Sequence, residues 1–211
     1  MNEMAIAMLT NRGHIHVKGN DSVKFLQGLL TNDVALFHSD NQMNAMYSMM
    51  LNSKGRVLYD LLLYKYDNGF LMESDAMAVA SILKTFQLYK LRSHVTFKDV
   101  SKHFDTYAVL KENATYGSIR TGKEKHGIFV VDPRVALLGS RLLLPRGDDV
   151  TDYFYDVVKI NNQEVYDEHR VKLGVCEGIK DIKPHHALPL EYNVTEMHGV
   201  SFHKDVILVR N

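Results

Sequence analysis

Cysteine occurs once in these 211 residues, at position 176, and that scarcity excludes an internal disulfide framework and any cysteine-only metal or cluster site within one chain. A reducing compartment fits. Excess charge of either sign is missing too, since 25 lysines and arginines balance 25 aspartates and glutamates. The chain therefore lacks the positive surplus with which nucleic-acid-binding proteins neutralise phosphates. No apolar run approaches the ~18–20 residues that cross a bilayer, so no membrane span is expected. Met1 to Leu9 carries neither the charged start of a secretory signal nor an arginine-rich amphipathic transit pattern.

Several chemical signatures are absent as well. No Gly-x-x-x-x-Gly-Lys-Ser/Thr loop occurs, and the stretch Gly117 to Gly122 lacks the lysine–hydroxyl pair in register. No Gly-x-Ser-x-Gly elbow supports a serine nucleophile. The histidine pairs His185-His186 and His198/His203 lack a third or fourth ligand at metal-site spacing, and Cys176 between Val175 and Glu177 reads as a packing residue. No metal site and no catalytic residue is assigned. A repeat of ~20–50 residues, the mark of a solenoid, is not visible.

What is present alternates strands with a few helices. Ile15 and Val17 alternate with polar neighbours over His14 to Lys18. Gly19-Asn20-Asp21 then supplies a turn and cap before the helical pattern of Val23, Phe25, Leu26, Leu29 and Leu30. His38 to Asn44 has no periodicity and reads as a loop. Ala45 to Leu51 and Arg56 to Tyr66, joined by Asn52-Ser53-Lys54-Gly55, predict a hairpin. A strand at Phe70 to Glu73 is followed by Asp75 as a cap and a helix from about Ala76 to Leu91. Short strands are expected at Val95 to Phe97, Thr106 to Leu110, Gly127 to Val131 and Ser140 to Leu144, with Asp132-Pro133-Arg134 as a break. After the punctuation Pro145 to Asp149, the residues Tyr153, Val157 and Val158 open a helical pattern extending with an interruption toward Leu173. Strands in runs with short turns favour an α+β fold with antiparallel sheets. The methionines Met43, Met46, Met49 and Met50 read as core filling.

Three segments carry residues that suit ligand chemistry. Asp60 lies among apolar residues on its strand, where a carboxylate meets an arginine, a backbone donor or a ligand amine, or else faces water on an edge strand. Glu191, in Leu188-Pro189-Leu190-Glu191-Tyr192-Asn193, suits either the edge of an amidine-like heterocycle or the start of a helix. Tyr89-Lys90-Leu91-Arg92 ends the long helix with two cations that complement its dipole; Arg92 also suits a carboxylate as a planar fork.

In order along the chain, Val17-Lys18-Gly19-x-Asp21-x-x-x-Phe25-Leu26-x-Gly28-Leu29-Leu30-Thr31-Asn32-Asp33, Leu51-Asn52-x-x-Gly55-Arg56-Val57-Leu58-Tyr59-Asp60 and Leu88-Tyr89-Lys90-Leu91-Arg92-x-x-Val95 resemble the YgfZ/GcvT-like folate-binding family. Arg170-x-x-x-Gly174-Val175-x-Glu177-Gly178, Leu188-Pro189-Leu190-Glu191-x-Asn193 and Gly199-Val200-Ser201-Phe202-x-Lys204 are closest to its mitochondrial iron–sulfur assembly branch.

The resemblance implies a GcvT N-terminal-like fold with a ferredoxin-like module inserted into a discontinuous α+β domain. The expected boundaries are 1–44 plus 149–211 for the discontinuous domain and 45–148 for the insert. It further implies a C-terminal β-barrel, for which this chain has no room. The family lysine that opens Lys-Gly-Cys-Tyr-x-Gly-Gln-Glu matches Lys204, but Asp205 follows and the motif cysteine is missing, so a truncated form is expected.

Carried over by resemblance, Asp60 is the folate-facing acid and Glu191 the acid at the pterin edge, with Asn52, Tyr89, Arg92 and Asn193 as further lining residues for tetrahydrofolate. The implied role is maturation of 4Fe–4S client proteins in the mitochondrial matrix, with iron–sulfur assembly proteins as partners and no independent catalytic activity. The alternatives are a tetrahydrofolate-dependent one-carbon transferase and a non-catalytic shortened form that only binds partners.

Overall fold

The computed structural model describes residues 4–110, 127–154, 157–160 and 162–204. The Gly117 to Gly122 stretch and the tail from Asp205 lie outside them. In chain order the elements are β1 (Met4–Met8), β2 (Arg12–Lys18), α1 (Ser22–Gln27), α2 (Leu36–Ser39), β3 (Ala45–Leu51), β4 (Val57–Tyr66), β5 (Gly69–Asp75), α3 (Val79–Lys90), β6 (Thr96–Asp99), β7 (Phe104–Leu110), β8 (Ile128–Val131), β9 (Ser140–Pro145), β10 (Val157–Ile160), α4 (Gln163–Lys172) and α5 (Gly178–Asp181).

They form two units, Met1–Thr10 with Lys102–Gly174, and Asn11–Ser101 with Val175–Asn211. Both units are discontinuous, and the boundaries differ from those expected. The reason is a ladder. Over its whole length β2 pairs antiparallel with β5, from Arg12↔Asp75 to Lys18↔Gly69, so residues 11–44 cannot be parted from the hairpin that follows.

The larger unit holds a five-stranded antiparallel sheet in the order β3-β4-β5-β2-β6. The expected β3–β4 hairpin turns on Asn52, whose Oδ1 accepts from the N–H groups of Lys54 and Arg56 at 2.9 and 3.0 Å. β4 and β5 are joined by Asp67-Asn68, both at positive φ (44° and 55°), the backbone that a two-residue hairpin with right-handed twist requires.

Helices cover one face. Phe25 of α1, Phe86 of α3 and Phe97 of β6 meet ring to ring with centroids 5.1–5.4 Å apart over Ile15, Val17, Leu61, Leu63 and Met72. Each large apolar side chain buried in such a layer contributes about 1.5–3 kcal/mol. Met46 and Met50 belong to the same core, and Met43 packs against it. α3 begins at Val79, later than expected, because Asp75 first closes a turn, its Oδ1 accepting from the N–H of Met77 at 2.9 Å.

The smaller unit holds a second five-stranded sheet, β10-β1-β7-β9-β8. Here the sequence reading needs correction: Val157 and Val158 lie in a strand parallel to β1, paired Met4↔Val157 and Ala5↔Val158. A short apolar run is ambiguous between helix and strand, and the partner strand decides. The helix starts only at α4, where Asn162 Oδ1 accepts from the N–H of Glu164 at 2.8 Å. The core of this unit is Ile6, Val109, Phe129, Leu142, Leu144, Val150 and Phe154. Asp132, in the expected break, is buried and grips Arg134 through Nε and Nη2 at 2.9 and 2.7 Å. All ladders of both sheets other than β1–β10 are antiparallel, and among the described residues neither sheet closes into a barrel.

Candidate functional site

In the larger unit the face of the sheet opposite α1 and α3 carries a buried polar cluster among apolar residues, and strand alternation puts it there. On β2, Ile15 and Val17 enter the apolar core, which turns Arg12, His14 and His16 to the other side. On β4, Leu61 and Leu63 enter it, leaving Asp60, Leu62 and Tyr64 opposite; on β5, Phe70 and Met72 leave Leu71 and Glu73. Arg12, His14, Asp60, Tyr64 and Glu73 are all buried.

Burying these charges requires partners. Among the partners of Glu73, Arg12 Nε donates to Oε1 at 2.7 Å and the Tyr64 hydroxyl donates to Oε2 at 2.7 Å. Glu177 approaches the same guanidinium, with 3.7 Å between its Oε1 and Arg12 Nη1. Next along the chain, the N–H of Gly178 donates to Asp60 Oδ1 at 3.1 Å and that of Ile179 to Asp75 Oδ2 at 3.2 Å. The Ser74 hydroxyl bonds the Asp60 carbonyl at 2.8 Å.

A second polar seam joins Thr31-Asn32 to β3 and to residues 198–204. Thr31 Oγ1 donates to the Gly199 carbonyl at 2.6 Å and accepts from the N–H of Met49 at 2.8 Å. Asn32 Nδ2 donates to the carbonyls of His198 (2.6 Å) and Tyr47 (2.9 Å). Lys204 Nζ donates to the Leu30 carbonyl and, at 3.2 Å, to that of Asn32. Burial pushes this ammonium down to about 8, although the nearby Asp33 carboxylate pulls the other way.

The remaining expected residues fall into two places. Residues 185–187 run beside the start of β4: the N–H of His185 donates to the Val57 carbonyl (2.8 Å), and that of Val57 to the Ala187 carbonyl (2.9 Å). This tether brings the turn bearing Glu191 and Asn193 to the same end of β4 as the loop bearing Asn52. Glu191 is exposed, and its Oε2 accepts from the N–H of Leu188 at 3.1 Å, closing the short helical turn that Asn193 ends at φ 53°. Tyr89 and Arg92 lie elsewhere. With Asp21, Lys24, Phe25, Gly28, Leu29, Leu91 and Ser93 they line a cleft of about 650 Å³ on the helix-covered side. A second cleft, about 670 Å³, opens between Val23, Phe37, His38, Lys65 and Tyr66. Neither cleft is lined by Asp60 or Glu191. Among the described residues no group of three or more His, Cys, Asp or Glu side chains is placed to hold a metal ion.

The profile of the GCVT N-terminal domain family matches residues 1–111. The chain belongs to the GCVT N-terminal domain family. Among curated relatives, the mitochondrial iron–sulfur cluster assembly factor IBA57 of Homo sapiens is 34% identical over 209 residues, covering 93% of this chain and 58% of that protein. The Mus musculus protein of the same name is 31% identical over 218 residues with the same coverage. A homolog from Aspergillus clavatus is 32% identical over 227 residues, covering 94% and 50%. The chain thus spans 50% to 58% of the length of these relatives. Among solved structures, glycine cleavage system aminomethyltransferase T from Bartonella henselae superposes with a TM-score of 0.62 at 16% identity, covering 89% of this chain and 55% of that one. The likeness to it is one of fold.

This GCVT-family chain builds these polar clusters from residues to which sequence reading gave no site role: Arg12, His14, Tyr64, Glu73, Glu177 and the Thr31-Asn32 pair. A signal for some of them was there. Glu73 interrupts the apolar run Phe70-Leu71-Met72, and Arg12, His14 and His16 alternate with Gly13, Ile15 and Val17. Glu177 stands in a family-like segment, but only the fold brings it to Arg12.

Proposed function

We propose that this chain is an assembly factor for 4Fe–4S proteins of the mitochondrial matrix, working with iron–sulfur assembly proteins and their client proteins. The observation that carries the reading is the likeness to IBA57 proteins across 93% of the chain. The closure of the Asp60 hairpin onto Gly178 supports it, because a segment that resembles the wider family is tied there to one that resembles its assembly branch. With a single cysteine in the chain, at position 176, partner proteins supply cluster ligands in this reading.

The folate-type pocket of this proposal is centred on Asp60, with Glu191, Asn52 and Asn193 at the same end of β4. Two carboxylates and two amides match the donors and acceptors along a pterin edge. Tetrahydrofolate, when bound, supplies a carrier of one-carbon groups; the residues of this chain bind and orient it. Tyr89 and Arg92, on the other side of the sheet, are left out of this pocket.

The test is replacement of the cellular protein by this chain in depleted cells. Restored activity of 4Fe–4S enzymes is expected, and unchanged 4Fe–4S activities on depletion would sink the proposal. Calorimetric titration with tetrahydrofolate examines the pocket separately: binding that weakens at least about tenfold in Asp60→Asn is expected, and absence of heat with the unsubstituted chain removes folate from the reading. Folate-dependent turnover lost in the same variant would move the protein to the one-carbon transferases.

A further inference from the structure

The cleft lined by Tyr89 and Arg92 has a chemistry that the folate reading does not use. Its floor is apolar and aromatic, from Phe25, Leu29 and Tyr89, and its rim carries the cations Lys24 and Arg92. The single carboxylate in the lining, Asp21, is already engaged, its Oδ2 accepting from the N–H of His94 at 2.6 Å. The lining thus carries two cations against one carboxylate.

Two leucines beside it are exposed at a cost. Leu91, at the rim, is 82% exposed and sits at φ 45°, ψ −115°, a conformation that L side chains avoid. Leu88, three residues earlier near the end of α3, is 72% exposed and is not part of the cleft lining. A small acid seated in the cleft leaves Leu88 in water. A helix laid along the cleft covers both leucines and sets its own carboxylates against Lys24 and Arg92.

We propose that this surface docks an acidic, leucine- or phenylalanine-bearing helical segment of a partner protein. Charge complementarity selects that occupant over a basic segment, and the two exposed leucines select apolar anchors. The site stands on the opposite side of the sheet from Asp60, so it does not depend on folate binding.

The probe is a fluorescein-labelled peptide of about 14 residues with leucine or phenylalanine at i, i+3, i+4 and i+7 and glutamate between them, alongside a scrambled peptide of the same composition. Fluorescence anisotropy with the full chain is expected to show saturable binding that falls with salt and is at least about tenfold weaker for the scrambled peptide. Lys24→Glu with Arg92→Glu, and separately Leu88→Ser with Leu91→Ser, are each expected to weaken it at least about tenfold. Circular dichroism checks that these surface variants remain folded. Amide shifts on peptide addition are expected within residues 21–29 and 88–94.

Equal binding of the scrambled peptide, or binding unchanged in both variant pairs, overturns the proposal. So does displacement of the peptide by tetrahydrofolate or p-aminobenzoylglutamate with the same amides shifting, which would assign the cleft to a small acid. Self-association abolished by the leucine pair would assign it to a second copy. Asp60→Asn is expected to bind the peptide normally, which separates this outcome from failure of the folate reading.

Discussion

The backbone N–H of Gly178 donates to the Asp60 carboxylate at 3.1 Å across 118 residues of sequence. The glycine is required there. Its φ is +77°, and a Cβ at this position would lie 2.7 Å from Asp75 Oδ2. Gly178→Ala is therefore expected to lower stability by roughly 2 kcal/mol or more, from backbone strain together with the carboxylate it displaces. Urea unfolding checks it, and a loss below ~0.5 kcal/mol would show that the segment shifts freely.

The Arg12–Glu73 pair is buried on both sides, with side chains 1% and 0% exposed. Glu73→Ala is expected to cost about 3–5 kcal/mol, since it strips Arg12 Nε and the Tyr64 hydroxyl of their acceptor. Replacing both charges, as in Arg12→Leu with Glu73→Leu, is expected to recover much of that loss. Denaturation of the single and double variants measures the coupling, and additive effects would refute it.

Lys204 provides the pH dependence. Its folded value, about 8, lies below the ordinary 10.5. Below pH 8 the lysine is protonated both folded and unfolded, and the penalty for burying its charge is fully felt. Between 8 and 10.5 the unfolded chain keeps a proton that the folded chain has released, so stability rises with pH. A ¹³Cε titration by NMR is expected to show a midpoint near 8, and the stability difference from Lys204→Met should move in favour of the native lysine over that window. A midpoint near 10.5 would mean the ammonium is solvated and the seam open.

Leu91 offers a substitution in the stabilising direction. At φ 45°, ψ −115°, with 82% of its surface exposed, it has backbone strain to lose and little packing. Leu91→Gly is expected to stabilise the chain by about 1 kcal/mol in thermal or urea unfolding. If the docking proposal holds, the same variant weakens the peptide, so the leucine would stand for function gained against stability lost.

Period-2 alternation made β2 legible, apolar runs on either side of Asn52-Ser53-Lys54-Gly55 made the β3–β4 hairpin legible, and the spacing of Val79, Leu83 and Phe86 made α3 legible, because each rests on which residues must leave water. Asp60 was legible as a charge that needs a partner. The identity of the partner was not, since the Gly178 N–H is supplied by a segment more than a hundred residues away. Nor could local pattern separate Tyr89 and Arg92 from Asp60, because which side of a sheet a helix covers is settled only when helix and sheet pack. β10 was missed for the same reason, its strand identity residing in the ladder with β1.

The amino-acid sequence by itself determined the α+β class and most of the elements of the larger unit, which follow from local periodicity and turn chemistry, and it carries the motif segments that resemble the GCVT family. Tertiary structure alone decided the unit boundaries, the grouping of Arg12, Glu73 and Glu177, and the split of the expected lining residues between two sides of one sheet. Hydrogen-bond ladders and buried charges are satisfied by partners far along the chain, and no local window of sequence contains both members of such a pair.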